Sequence, residues 1–150
     1  MHDIKQIAPK KNSRFKQGYV NTSSCHKLFE SVSHQPVIYR SSWELRFIRW
    51  CENSPKVAHW GSECVSIRYF LPTDQQWHTY YPDFLVEMTD GTKAIVEIKP
   101  ANQVKKPSST DTWAAATYIK NMSKWRTIKQ ACIEKGYKFC ILTEHTIERL

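Results

Sequence analysis

The stretch YYPDFLVEMTDGTKAIVEIKP, residues 80–100, decides how the chain folds. Apolar and polar side chains alternate on either side of Asp90-Gly91, the pattern of two half-buried strands joined by a tight turn. The length of that turn sets the register. With a two-residue Asp90-Gly91 loop, Phe84 opposes Glu97 and Pro82 opposes Lys99, so apolar groups confront charges. A three-residue loop, Thr89-Asp90-Gly91 with Gly91 in the left-handed conformation, changes every pair. Val86 then opposes Ala94, Phe84 opposes Val96 and Pro82 opposes Ile98. On the other face Glu87 meets Lys93, Leu85 meets Ile95, and Asp83 meets Glu97. Only this second register stacks apolar groups and joins opposite charges, so the sequence specifies it.

The favoured register sets the Asp83 and Glu97 carboxylates side by side, their Cβ atoms roughly 4.5–5.5 Å apart. Lys99 follows on the same face, about 6.5 Å further along. Two adjacent carboxylates repel, which raises a pKa unless a cation lies between them. Oxygen donors alone suit Mg²⁺ or Mn²⁺ and not zinc. A second reading leaves Asp83 and Glu97 on an exposed sheet face, solvated, with Lys99 as counter-charge. Leu85 and Ile95 on that face favour a covered one.

Working outward, YRSSWELRFIRWCENSP (39–55) predicts a helix with an apolar stripe of Trp43, Phe47 and Trp50 or Cys51. Ser41 and Glu44 have capping-box spacing, and Asn53-Ser54-Pro55 stops the helix. Residues 57–70 read as one extended segment, with Gly61 a break or bulge, and residues 71–78 as a turn. Residues 101–112 read as loop. A long helix then runs to about Lys135, with a stripe of Tyr118, Met122, Trp125, Ile128 and Cys132, an interruption at 121–123, and a stop at Gly136. Residues 137–142 form a strand, and Thr143 caps a terminal helix. Trp43, Trp113 and Trp125 are expected in the core.

The match Pro82-Asp83, then thirteen residues, then Glu97-Ile98-Lys99 resembles the PD-(D/E)xK nuclease superfamily. Closer resemblances are to the head-completion endonucleases of T-even-type tailed bacteriophages and to the N-terminal catalytic domain of TnsA-type transposition endonucleases. YRSSWELRFIRWCE (39–52), YYPDF (80–84), VEIKP (96–100) and SKWRTIKQACIEKGYKFCILTE (123–144) carry them. The resemblance implies an α/β fold with a restriction-endonuclease-like core: helix, three-stranded antiparallel meander, helix and strand, with a mixed sheet flanked by helices. It also implies a Mg²⁺-dependent endodeoxyribonuclease, with Mn²⁺ able to substitute, acting on DNA in phage head completion after packaging.

The resemblance assigns Asp83, Glu97 and the Ile98 carbonyl to the metal, and Glu44 to a second metal or a metal-bound water. Lys99 would orient the attacking water or stabilise charge on the phosphate. From its own neighbourhood Glu44 has a rival role, closing the capping box with Ser41. Arg40, Lys105 and Lys124 are expected to contact DNA phosphates, with the Lys105-Lys106-Pro107 loop closing over the backbone, although each is also compatible with simple solvation. Gln103 and Tyr81 are expected to support the site from behind. Partners beyond DNA would be capsid or portal and neck proteins, and the location the host cytoplasm or the virion. A non-catalytic DNA-binding or virion structural protein on the same scaffold, and a TnsA-like transposition endonuclease, are the competing functions.

Composition agrees with a polyanionic partner. Lys and Arg number 22 against 14 Asp and Glu, a net charge of +8. Five cysteines without close pairing, and no apolar run long enough to span a bilayer, point to reduced thiols and no membrane partner. Residues 1–35 are polar and basic and read as an N-terminal extension: a phosphate-contacting arm, a solvated tail, or a wrap over the domain. Residues 36–150 are read as the nuclease domain.

Overall fold

A computed structural model describes residues 8–10, 16–108 and 110–150. In chain order the elements are β1 (Gly18–Tyr19), β2 (Ile38–Tyr39), α1 (Ser42–Asn53), β3 (Val57–Ser62), β4 (Ile67–Leu71), β5 (Gln76–Tyr80), β6 (Phe84–Met88), β7 (Lys93–Ile98), α2 (Ala101–Val104), α3 (Thr112–Lys135), β8 (Lys138–Leu142) and α4 (Glu144–Ile147). The central sheet has the order β3-β6-β7-β8. Its first three strands are antiparallel neighbours, and β8 returns parallel to β7 after the α3 crossover. This is the expected α/β core of helix, antiparallel meander, helix and strand.

The β6–β7 register is the one that the alternation specifies. Phe84 pairs with Val96, Leu85 with Ile95, Val86 with Ala94 and Glu87 with Lys93. The Met88 N–H donates to the Thr92 carbonyl at 2.7 Å, and Gly91 turns the chain at φ 87°. One face of the sheet buries Phe84, Val86, Val96 and Ile98 against Phe47, Ile48 and Cys51 of α1 and Ile147 of α4. The opposite face packs Ile95, with Leu85 beside it, against Trp125, Ile128 and Cys132 of α3. The charged face of the hairpin is therefore covered, which excludes the solvated-face reading.

Several local readings need correction. Residues 57–70 are two strands, not one, because the chain leaves the sheet at Glu63, which takes a left-handed φ of 48°. The bulge in β3 lies between Val57 and His59, not at Gly61. Gly61 is instead a close approach: a Cβ there would lie 2.7 Å from Cys64 Sγ. The expected turn at 71–78 is only its first half, since Gln76–Tyr80 forms β5 and pairs with β4 from Ile67↔Tyr80 to Leu71↔Gln76. This hairpin is inserted into the meander between β3 and β6. The loop after Pro100 begins with α2, and α3 runs unbroken through 121–123, where Asn121 is buried and Ser123 Oγ donates back to the Ile119 carbonyl. Trp113 is 73% exposed and not core. Thr143 stands at the N-cap of α4 but makes no side-chain capping bond.

Residues 18–39 lie on the domain. β1 pairs with β2, and the Trp60 N–H donates to the Lys27 carbonyl while the Phe29 N–H donates to the Trp60 carbonyl. Glu52 accepts from the His26 and Lys27 N–H groups and from Trp60 Nε1. The outer edge of β3 is thereby partly paired. Among the basic residues of the extension, Lys27 Nζ donates to the Ser54 carbonyl at 2.6 Å, whereas Lys5, Lys11 and Arg14 fall outside the described residues. No helix of the described residues is long and apolar enough to cross a membrane.

Because Gly91 alone holds the turn in left-handed backbone, Gly91→Ala should lower the stability by about 1 kcal/mol. Gly91→Asn should cost less, since Asn tolerates that region. Equilibrium urea unfolding of the three proteins checks the order.

Candidate active site

Asp83 lies where the chain passes from the inserted hairpin into β6. It is fixed from three sides. Its carbonyl accepts from the Glu63 N–H at 2.9 Å, its N–H donates to Glu97 Oε1 at 2.9 Å, and its Oδ2 accepts from the Ile98 N–H at 2.7 Å. Each acid thus accepts a backbone N–H from the partner strand, that of Asp83 in one case and of the residue after Glu97 in the other. The pairing follows from continuing the β6–β7 register by one residue. Glu97 is wholly buried beneath α3, and Asp83 keeps partial solvent contact.

The electrostatics are those of crowded acids. Burial, followed by repulsion from Asp83, pushes the Glu97 carboxyl up to about 8, although Lys99 opposes the shift. Burial also raises Asp83, against the pull of Lys99 and the Ile98 N–H. Glu44 is raised well above the usual carboxylate range by burial and then by Asp83. The Tyr80 phenol, on β5, lies against the Glu97 carboxyl but without the alignment of a full hydrogen bond. Glu97 Oε2 and the Tyr80 hydroxyl are consequently buried without a well-formed partner. An orphaned carboxylate oxygen between repelling acids fits a hard cation, which would take up the free lone pairs and relieve the repulsion. Among the described residues no three His, Cys, Asp or Glu side chains come together as a group that could hold a metal ion, so the acids here offer a close pair and not a complete ligand set. Glu44 Oε2 and Asp83 Oδ2 are instead committed to backbone N–H groups.

Glu44 stands at the start of α1, as its spacing from Ser41 predicts, and its side chain binds one residue before the capping position. Its N–H donates to the Ser41 Oγ at 3.2 Å, capping α1, while its Oε2 accepts from the Arg40 N–H at 2.8 Å. The same carboxylate feels the charge of Asp83. Lys99 directly follows β7, its N–H on the Leu142 carbonyl, and its charge acts on both Asp83 and Glu97. Lys124 reaches in from α3, with Nζ 4.3 Å from the centre of the Tyr80 ring and 5.8 Å from that of Tyr69. Its charge also acts on Asp83.

Other expected residues sit further out or are differently engaged. Arg40 grips Glu63 with Nε at 2.7 Å and Nη2 at 3.2 Å. Gln103 is on α2, partly buried, and Lys105 is exposed just beyond it. Tyr81 is partly buried, but it is Tyr80 that meets Glu97. The strand alternation restarts across 81–83, which belong to no strand, so the parity that aligned Tyr81 with Asp83 does not carry through. Glu63 and Tyr80 are the residues that sequence reasoning missed. Glu63 lay inside an apparently regular extended run, and nothing local marks its approach to Arg40.

A family model described as "TnsA-like endonuclease N terminal" matches residues 54–144, which include Asp83, Glu97, Lys99 and Lys124. The head completion nuclease of Enterobacteria phage T4 is 30% identical over 124 residues, spanning 76% of this chain and 83% of that protein.

The raised Glu97 carboxyl carries a pH signature. Its folded value exceeds its unfolded one, so its contribution to stability is complete at about pH 4 and is lost as the pH rises to about 8. In chelator, wild type should lose on the order of 5 kcal/mol across that window. Glu97→Gln should flatten the profile and melt above wild type at the alkaline end. Thermal unfolding across pH checks this.

Proposed function

The chain belongs to the TnsA-like endonuclease N-terminal family, and from that premise we propose that it is a divalent-metal-dependent DNA endonuclease acting in phage head completion, on DNA left after packaging. Its nuclease character follows from the family. The metal requirement and the biological step are the proposal. The observation that carries it is the clasped pair Asp83 and Glu97, with a buried carboxylate oxygen left unpartnered and Lys99 adjoining.

In this reading Asp83 and Glu97, with the Ile98 carbonyl, would hold Mg²⁺ or Mn²⁺, and Glu44 would add a carboxylate from the α1 side. When bound, such an ion would supply Lewis acidity toward the phosphate and make a water more acidic. The residues of the chain do the rest. Lys99 places an ammonium beside the two carboxylates, where it orients the attacking water and balances charge on the phosphate. Lys124 holds a second positive charge over Tyr80, on the side of the site lined by α3. Arg40 would leave Glu63 to grip a phosphate with two parallel hydrogen bonds. The Lys105-Lys106 loop adds backbone contacts without sequence preference. The host cytoplasm is the place of action, with the virion as a second location and capsid or portal and neck proteins as partners.

Plasmid nicking tests this. Wild type should cut with Mg²⁺ or Mn²⁺ and stop in chelator. Asp83→Ala and Glu97→Gln should each fall by at least about 100-fold, and Lys99→Ala by a similar factor. DNA binding without metal-dependent cutting by wild type would sink the proposal and favour a binding protein on a nuclease scaffold.

A further inference from the structure

The inserted hairpin of β4 and β5 carries a feature that catalysis leaves unused. Its inner face, Tyr69, Leu71 and His78, is buried toward α3. Its outer face pairs Phe70 with Trp77 across the strands, 42% and 53% exposed, with ring centroids 5.7 Å apart in an edge-on arrangement. The Arg68 guanidinium lies 5.9 Å from the centre of the Trp77 ring. Scattered exposed aromatics are ordinary. Two adjacent ones with an arginine on a face are not.

The hairpin is also rooted in the site at both ends. β4 departs after Glu63, whose N–H binds the Asp83 carbonyl, and β5 returns through Tyr80, which meets Glu97. The Phe70–Trp77 pair lies three residues up from the Ile67–Tyr80 pair, about 10 Å along the strand. The arm is stiff: Asp74 bonds His78 Nε2 at 2.7 Å and the Gln76 N–H at 3.0 Å, and the Tyr69 and His78 rings stack at 5.5 Å. A rigid pair of rings with an arginine, beside a DNA-cutting site on a chain of net charge +8, matches the chemistry of nucleotide bases. Base faces are open to such stacking only where strands are unpaired.

We propose that the outer face of this hairpin binds unpaired bases of the substrate, with Phe70 and Trp77 stacking on them and Arg68 serving the adjoining base or phosphate. The enzyme would then favour frayed, tailed or single-stranded DNA next to the cut. This inference rests on the nuclease reading and adds the form of DNA to it.

The test is fluorescence anisotropy of the full chain in chelator, with labelled single-stranded, tailed and blunt duplex oligonucleotides. Trp77→Ala and Phe70→Leu should each weaken binding to single-stranded and tailed DNA by about tenfold, with blunt duplex changed less than about twofold. Trp77→Phe, which keeps a ring, should bind nearly as wild type. Far-UV circular dichroism and melting temperature verify folding, and Phe70→Leu keeps the apolar volume should Trp77→Ala fail to fold. Unchanged affinity for unpaired DNA, or equal losses on all three DNAs, would overturn the proposal and turn attention to a protein partner. The two readings fail separately. A wild type that never cuts removes the nuclease mechanism, whereas cutting by variants with intact single-strand binding removes only the stacking role.

Discussion

Two hydrogen bonds hold the centre of this molecule together: Asp83 N–H to Glu97 Oε1, and Ile98 N–H to Asp83 Oδ2. They bring together two acids that would otherwise separate. Such hydrogen bonds contribute about 0.5–1.5 kcal/mol to a neutral acceptor and roughly 1.5–3 kcal/mol to a charged one, enough to offset part of the repulsion and burial. Neither bond is possible in the two-residue-loop register, because the Asp83 side chain would then face away from Glu97. The left-handed turn at Gly91 therefore governs the geometry of the site from the far end of the hairpin, seven residues from Ile98.

The second constraint is α3. Without it, the face carrying Asp83, Leu85, Ile95 and Glu97 would be an ordinary solvated sheet surface with screened charges. Trp125, Ile128 and Cys132 pack on Ile95 and exclude water, so charge interactions there are stronger than at a surface. The same packing leaves Asn121 Nδ2 and Trp125 Nε1 buried without hydrogen-bond partners, as it does Glu97 Oε2. Polar groups buried at such cost are tolerated where the fold is over-determined on both sides. Here α1 and α4 close one face of the sheet and α3 the other.

What the sequence disclosed follows the range of the forces involved. The hairpin register was legible because pairing rules act between facing neighbours, and the α1 cap because Ser41 and Glu44 lie within one turn. The β4–β5 hairpin was hidden because Gln76-Trp77-His78-Thr79-Tyr80 mixes polar and aromatic residues and looks like a turn. Its inner face is apolar only in combination with α3. Tyr80 was not legible beside Glu97, because alternation does not carry through Pro82, where the chain leaves one sheet and joins another. Glu63 was invisible for a different reason: its partner Arg40 is 23 residues away and the contact exists only once β3 has paired with β6. Trp113 shows the reverse error, since aromatic character alone does not place a residue inside.

The Arg40–Glu63 pair bears on how the crowded acids coexist. Four carboxylates, Glu44, Glu63, Asp83 and Glu97, act on one another, and three cations, Arg40, Lys99 and Lys124, face them. The balance is one negative charge if all ionise, on a chain that is otherwise strongly basic. Proton uptake by Glu97 and Glu44 is one way to settle it, and burial first, then repulsion from Asp83, raises both groups toward it. A divalent ion would be another: it would turn the local charge from minus one to plus one and make the site attractive to a phosphate. Arg40 is the cation best placed to exchange roles between these states. Its guanidinium neutralises Glu63 while feeling Glu44 and Asp83, and an ion held by the acids would weaken that hold. The fork of hydrogen-bond donors that now grips a carboxylate has the geometry to grip a phosphate. In the proposed enzyme, charge balance would link cation binding by the acids to substrate capture by the arginine beside them.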